Sequence, residues 1–376
     1  MSTVGIIFSN LHDKNISELT RLRTMASVPF GCRYRLIDFT LSNMVNSGIT
    51  HVGVITHYNY QSLMDHIGSG KDWDLARRSG GVQILPPYIT AFANAENSLY
   101  NTRLEALKSI YSFISACKED YVVISDCDVI CNIDLSDIID YHIESGADAT
   151  FAVKRSYITK EHGGPAVVME SDEQGRLTDV EEYSGNKSGY MDVTINIWVM
   201  HRVFLESIVL DAVAHGYNDF INDVIKRNIG NYNFRVYKYD GYFAALNSMS
   251  DYFMCSMDLL DSSVRDQLFG IKARPVYTKV RNSAPTVYSR ESIVKNSLIA
   301  DGCIIDGTVE NSILFRGVKI GKGTSVKNSI LMQDTLTGEN VYLNCVITDK
   351  NVVLRDGRVL SGHETMPFYI RKNSTV

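Results

Sequence analysis

The chain has 376 residues, 45% hydrophobic and 21% charged, which is enough apolar surface for a large α/β domain and a second, smaller unit. A net charge of −6 with dispersed basic residues excludes the basic stripe of a nucleic-acid binder. No run approaches a membrane-spanning length, and the first residues lack the basic-then-apolar pattern of an export signal, so a cytoplasmic protein with no membrane partner is expected.

Residues 4–8 are a short apolar run suited to a buried parallel strand, and 36–45 have amphipathic helical spacing that stops at Gly48. A strand follows at 52–56, a helix at 104–116, a strand at 121–125, a helix at 135–144 and a strand at 149–153. This rhythm predicts an α/β, mostly parallel sheet with helices on both faces. Ligands of such sheets bind beyond the carboxyl ends of the strands, so chemistry is sought in the loops after Phe8, Ser125 and Met200.

From Pro285 the helical pattern ends. Aliphatic residues recur at Val287, Ile293, Ile299 and Ile305, then resume at Ile320, Val326 and Met332, with Gly302, Gly307, Gly317, Gly321 and Gly323 between them. A six-residue apolar period with glycine and asparagine at the corners is the signature of a hexapeptide β-helix, with Ile293 and Ile299 expected inside the coil. An antiparallel sandwich of short strands is the alternative. The expected organisation is an α/β domain over 1–250, a helical linker over 251–284 and a β-helix over 285–376. Seven scattered cysteines without a Cys-x-x-Cys pair suggest reduced, mostly buried thiols rather than a zinc site.

Several stretches are more specific. VPFGCRYRLIDFTLSNMVNSGI (28–49) resembles the PFGGKYRIIDFPLSN segment of ADP-glucose pyrophosphorylases (glucose-1-phosphate adenylyltransferases). VGVITHYNYQSLMDHIGSGKDWDL (52–75), GGVQILPPY (80–88) and SMDLL (256–260) resemble that family too. The resemblance implies a nucleotidyltransferase-type domain followed by a left-handed β-helix. It also implies a reaction in which a sugar phosphate oxygen attacks the α-phosphate of ATP and pyrophosphate leaves. Such chemistry needs a glycine loop against phosphate, cationic side chains and a divalent metal held by carboxylates.

Set against the family motifs, those groups are missing. In IFSNLHDKNI (7–16) the glycine positions hold Asn10, Leu11 and Asp13, and the phosphate-facing arginine is Asn15. A downstream lysine is replaced by Met25. Cys127 stands at one metal aspartate and Ala245 at the other, with Ala244 at the neighbouring lysine. In VEEYS (180–184), Tyr183 replaces the lysine that meets glucose-1-phosphate. Neither a thiol nor a methyl serves Mg²⁺. Asp126 and Asp128 flank Cys127 and could shift the metal site, but alternation along an extended strand end aims both away from Cys127, which favours solvated or turn-capping aspartates. Glu105 in the GTADA-like TRLEA, Glu182, and the backbone of Asn196 could still bind a sugar or base; the bland reading is surface polarity.

The pattern resembles the regulatory, GlgD-type subunits that accompany a catalytic ADP-glucose pyrophosphorylase subunit in a heterotetramer for glycogen biosynthesis. It implies a pseudoenzyme or weakly catalytic chain, inactive alone, with Mg²⁺ needed only by the catalytic partner, and a homo-oligomer in isolation. Arg21, Arg23, Arg33 and Arg35 could receive a sugar-phosphate effector or an acidic partner surface, or could pair within the fold. Two alternatives stay open: an active nucleotidyltransferase with a rearranged metal site, and a stand-alone sugar-phosphate or nucleotide sensor.

Overall fold

The computed structural model describes residues 2–86, 100–158, 166–183, 185 and 188–376; the end of the 80–88 segment and Ser184 of the 180–184 segment lie outside the described residues. A central sheet runs β1 (Thr3–Phe8), β2 (His51–Ile55) and β3 (Gly81–Leu85) to one side. Beyond β1 on the other side lies β4 (Tyr121–Asp126), parallel to it and in register from Thr3 opposite Tyr121 to Phe8 opposite Asp126. These are the apolar runs read in the sequence, buried because helices cover both faces.

Alternate residues of each strand serve the two faces. Ile7, Val54 and Val123 pack with helix α1 (Leu36–Asn46), whereas Ile6, Ile55 and Ile124 pack on the opposite side with α2 (Arg103–Ser109) and α3 (Tyr111–Ala116). The helix expected over 104–116 is therefore two, broken at Ile110. After helix α4 (Leu135–Glu144), β5 (Ala149–Ile158) extends five residues past the predicted strand. A small antiparallel layer of β6 (Val167–Ser171) and β7 (Leu177–Glu182) leads to the long β8 (Gly189–His201).

Strand β8 corrects one expectation. It runs antiparallel to β4, with Ile197 opposite Ser125 and His201 opposite Tyr121, so the loop after Met200 lies at the amino end of the central strands, away from the cleft. The part of β8 that reaches the cleft is its interior, where pairing with β5 slips between Thr194 and Trp198 and Asn196 takes a φ of 57°.

After helix α5 (Arg202–His215), the chain passes into helices α6 (Met249–Asp258) and α7 (Ser262–Phe269), which are packed rather than free. Tyr252 and Phe253 are fully buried, and the Tyr252 hydroxyl donates to the Pro29 carbonyl at 2.7 Å.

The C-terminal unit is a left-handed β-helix of three five-stranded parallel sheets, not a sandwich. Its rungs repeat at 15 or 17 residues, as the corner hydrogen bonds Ser312 N–H to Ser297 Oγ and Ser329 N–H to Ser312 Oγ record, except at the end, where Val346 pairs with Phe368, 22 positions on. The shortfall from three full hexapeptides moves the inward set. Val294, Ile299, Ile305, Val309, Leu314, Ile320, Val326 and Leu331 fill the coil, so Ile299 lies inside as expected, whereas Ile293, expected inside, is 49% exposed, and Val287 of the same period is 59% exposed. Asn296, Asn311 and Asn328 turn corners at positive φ, where asparagine tolerates the left-handed conformation.

One outer face of the coil docks on the α/β domain. Ile313, Phe315, Ile330, Met332 and Ile347 share a buried cluster with α1 and α6. Within the junction, Arg23 Nη2 meets both carboxylate oxygens of Asp349 at 2.7 Å, with both side chains under 5% exposed. The Tyr369 hydroxyl adds bonds to Asp349 at 3.1 Å and to the Glu18 carbonyl at 2.9 Å. Removing one member of a buried pair strands the other charge. Asp349→Ala is expected to lower unfolding free energy by about 3–5 kcal/mol, read by urea denaturation; a change below about 1 kcal/mol would show that the pair does not hold the domains.

Candidate functional site

A cleft of about 470 Å³ opens at the carboxyl ends of β1 and β4. Its walls include Leu11 and His12 from the loop after β1, Arg103 at the start of α2, Asp128 beyond β4, Glu182 at the end of β7 and Asn196 in β8. Two-residue strands Val129–Ile130 and Ala244–Ala245 pair across its floor and bring Ala245 opposite Val129.

The two positions of the family's metal carboxylates are thus neighbours, but neither offers a ligand. Ala245 lines the cleft with a methyl group, and Cys127 turns into the core, 2% exposed. Burial, followed by the neighbouring Asp128, Asp13 and Asp126, pushes the Cys127 thiol well above its ordinary range, so it is a neutral packing group.

Asp126 and Asp128 are the reverse of solvated turn caps: they are 1% and 3% exposed. Asp128 lines the cleft, and Asp126 lies behind its wall, held by Arg103 and His12, which do line it. Arg103 grips Asp126 with Nη2 on Oδ2 and with Nε 3.3 Å from Oδ1, and its guanidinium lies 5.3 Å above the Trp198 ring. His12 Nε2 approaches Asp126 Oδ2 at 3.0 Å. Burial alone would raise the Asp126 carboxyl, but Arg103 and His12 hold it below its usual range. Burial would lower His12; Asp128 and Asp126 outweigh it and raise the imidazole pKa. Asp128 is pushed up by burial and by Asp126 against the pull of His12, and its Oδ1 has no hydrogen-bond partner among the described residues.

This set does not fit magnesium. Mg²⁺ needs hard oxygen ligands in an octahedron, and here one carboxylate already faces a guanidinium and an imidazole while the two aligned positions carry a thiol in the core and a methyl. Nor does the rest of the cleft favour phosphate. Its lining acids are Asp128, Glu182, Asp219 and Asp251, against His12 and Arg103, which are already committed to Asp126.

The loop that would cradle phosphate is closed on itself. The Asn10 amide lies 2.5 Å from His57 Nδ1 and accepts from the Tyr100 hydroxyl at 3.1 Å. Asp13 Oδ1 takes the Met25 N–H at 2.7 Å, so Met25, fully buried, is core and not a phosphate contact. The Asn15 side-chain amide lies 3.5 Å from the Asn247 side-chain oxygen.

The other predicted residues scatter. Glu105 does not line the cleft; its carboxylate takes the Asn101 N–H at 2.7 Å. Glu182 is at the rim, and the Asn196 N–H, expected to be available, is used by the Thr194 hydroxyl at 3.1 Å. Tyr183 lines a separate surface groove beside Tyr190. The four arginines do not form one cluster. Arg23 is bound to Asp349, and Arg21 lines a second opening with Lys14 and Arg371. Arg33 and Arg35 sit with Lys279, Arg281, Arg316 and Lys350 around a small cavity between the domains. There burial, then Arg35 and Arg23, lower Lys350 to about 7.

Sequence reading missed His12 and Arg103. The available signal was the presence of two basic residues, one in the degenerate phosphate loop and one in TRLEA, alongside the replacement of the metal carboxylates.

The fold and cleft define a nucleotidyltransferase domain carrying a hexapeptide β-helix: the Nucleotidyl transferase family matches residues 12–261, and the GlmU-like, C-terminal hexapeptide family matches residues 282–365. The glycogen biosynthesis protein GlgD of Geobacillus stearothermophilus is 38% identical over 371 residues, spanning 99% of this chain and 96% of the relative. GlgD of Bacillus subtilis (strain 168) is 32% identical over 369 residues, 98% and 95% of the two chains. The glucose-1-phosphate adenylyltransferase of Fervidobacterium nodosum is 31% identical over 374 residues, 99% and 88%. The chain belongs to the ADP-glucose pyrophosphorylase (glucose-1-phosphate adenylyltransferase) family, as a GlgD-type member.

Asp13 gives a test of the closed loop. Burial raises its carboxyl to about 7 despite the Met25 N–H. The folded chain therefore keeps a proton that the unfolded chain has lost, and stability falls as pH rises between about 4 and 7. Asp13→Asn, which still accepts from Met25, should raise unfolding free energy at pH 8 by about 1–2 kcal/mol, discounted for partial exposure, and change little at pH 4. Denaturation curves at the two pH values decide it; an equal effect at both would mean that the loop is not closed over a buried carboxyl.

Proposed function

We propose that this chain is a non-catalytic regulatory subunit of glucose-1-phosphate adenylyltransferase in glycogen biosynthesis, acting in the cytoplasm on a catalytic partner subunit in a heterotetramer. The observation that carries the reading is the occupation of Asp126 by Arg103 and His12. Cations built into the chain stand against Asp126, the buried carboxylate at the head of β4, so Mg²⁺ belongs to the partner's site. The acidic cleft and the closed loop support the same reading, as do the two relatives named glycogen biosynthesis protein GlgD.

A partner needs a surface. One β-helix sheet turns Val287, Ile304, Leu336 and Val353 outward, with the exposed Lys319 between Ile304 and Leu336, a mixed face suited to a second subunit and, in isolation, to another copy of the chain. A sugar-phosphate effector would find its cations at Arg33 and its neighbours around the interdomain cavity rather than at Arg23.

A second reading is favoured by one observation. His12, Asp126 and Asp128 place ligand atoms within 4.8 Å of one another, and Asp128 Oδ1 is unbonded. An active enzyme with a rearranged metal site would use them, but only after Arg103 leaves Asp126.

Pyrophosphate release from ATP and glucose-1-phosphate with Mg²⁺ separates the readings. The chain alone should turn over about a thousandfold or more below a catalytic relative, because the metal's charge stabilisation is worth several kcal/mol. Added to that relative, it should alter kcat/KM or the effector response. Turnover by the chain alone within about tenfold of the catalytic relative would overturn the proposal. Cys127→Asp with Ala245→Asp should not restore activity and should lower Tm, because the new carboxylate at 127 would be buried in the core.

A further inference from the structure

The amino ends of the central strands, opposite the cleft, hold a second group of ligating side chains. His51 opens β2, Cys117 follows the last turn of α3, and Glu119 lies two residues on, in the turn into β4. Strand β1 lies between them, with Val4 opposite His51 and Thr3 opposite Tyr121. A Cys-x-Glu spacing in extended backbone places both side chains on one side, facing the imidazole.

The ligand atoms of the three residues lie within 4.8 Å of one another. His51 Nδ1 is 2.8 Å from Glu119 Oε1, and the other carboxylate oxygen takes the Lys118 N–H at 2.9 Å. Behind this first layer the supports are in place. The Phe113 ring stands edge-on to the imidazole at 5.3 Å, and the Gln83 amide lies 3.4 Å from Nε2. Turned to present its oxygen, that amide would accept Nε2–H and leave Nδ1 as a donor to a metal. Arg202 Nε holds the Glu119 carbonyl at 2.9 Å. Cys117 is 6% exposed, while the His51 and Glu119 side chains are 17% and 19% exposed, which leaves an entry path and room for a water as fourth ligand.

The Glu119 carboxylate and the buried Cys117 sulfur face one imidazole. Thiolate, carboxylate and neutral imidazole together would balance the charge of a divalent cation.

We propose that His51, Cys117 and Glu119 form a zinc site, with three ligands from the chain and one from solvent, that staples the end of α3 and the start of β4 to β2. A sulfur, nitrogen and oxygen donor set suits Zn²⁺, and hard cations such as Mg²⁺ do not take thiolate. The site lies at the opposite end of the sheet from the cleft and does not depend on the reading of the cleft.

The full chain, free of any histidine tag, is titrated with Co²⁺ and then Zn²⁺. A thiolate-to-cobalt charge-transfer band should saturate at one ion per chain and vanish as Zn²⁺ displaces it, and Zn²⁺ should raise Tm by about 5 °C. Cys117→Ala should abolish the band while circular dichroism stays native. Glu119→Gln, which keeps the packing, should weaken Co²⁺ at least about tenfold. No band in the wild-type chain, a band that survives Cys117→Ala, or undiminished affinity in Glu119→Gln would overturn the proposal. Cobalt held by His12, Asp126 and Asp128 has no sulfur ligand and gives no such band, so it would count against the site at Cys117.

Discussion

A carboxylate taken out of water needs a cation, and the buried Asp126 at the head of the central strand sets that demand for the whole cleft. Stranding such a charge would cost several kcal/mol even after relaxation. Here the cation is part of the polypeptide. Arg103 comes from the first turn of α2, His12 from the loop after β1, and Trp198 of β8 lies under the guanidinium. One charge therefore ties together three elements that surround the place where phosphates would pass. The loop is held in the path that delivers His12, which is a different task from turning backbone N–H groups toward phosphate.

The same loop continues into the domain junction. From Asp13 the chain bonds back to Met25, Thr20 bonds to the Asp13 carbonyl, and Arg23 then enters the pair with Asp349. Lys350, the next residue after Asp349, belongs to the cationic cavity that also holds Arg33 and Arg35. Cleft, loop and β-helix are thus mechanically continuous over short covalent distances, and an anion in that cavity would act on residues bonded to the loop. For the regulatory subunit proposed above, such continuity suits transmission to a neighbour.

The fold was largely legible because its signals are local. The apolar runs at β1, β2 and β4 and the helical spacing of α1 and α4 give their elements within a residue or two. The β-helix was visible as a period, and Ile299, Ile305, Ile320 and Val326 of that period fill the coil, but Ile293 does not, since rungs of 15 and 17 residues break a strict count of six. The direction of β8 was equally hidden, because a strand's sense in a sheet is a tertiary fact. In the site, the sequence shows what is missing, as with Cys127, Ala245 and Tyr183. It does not show what has moved in: Arg103 and His12 lie 91 positions apart and meet only through folding. Likewise no sequence spacing brings His51 to Cys117 and Glu119; they meet only across β1.

The central claim is that built-in cations, not a metal, satisfy Asp126, and anomalous diffraction from crystals soaked with ATP and Mn²⁺ tests it most directly. The expected map has Arg103 still on Asp126 and no manganese peak in the cleft. A strong peak ligated by Asp126 and Asp128, with the guanidinium displaced and triphosphate oxygens completing the shell, would contradict it.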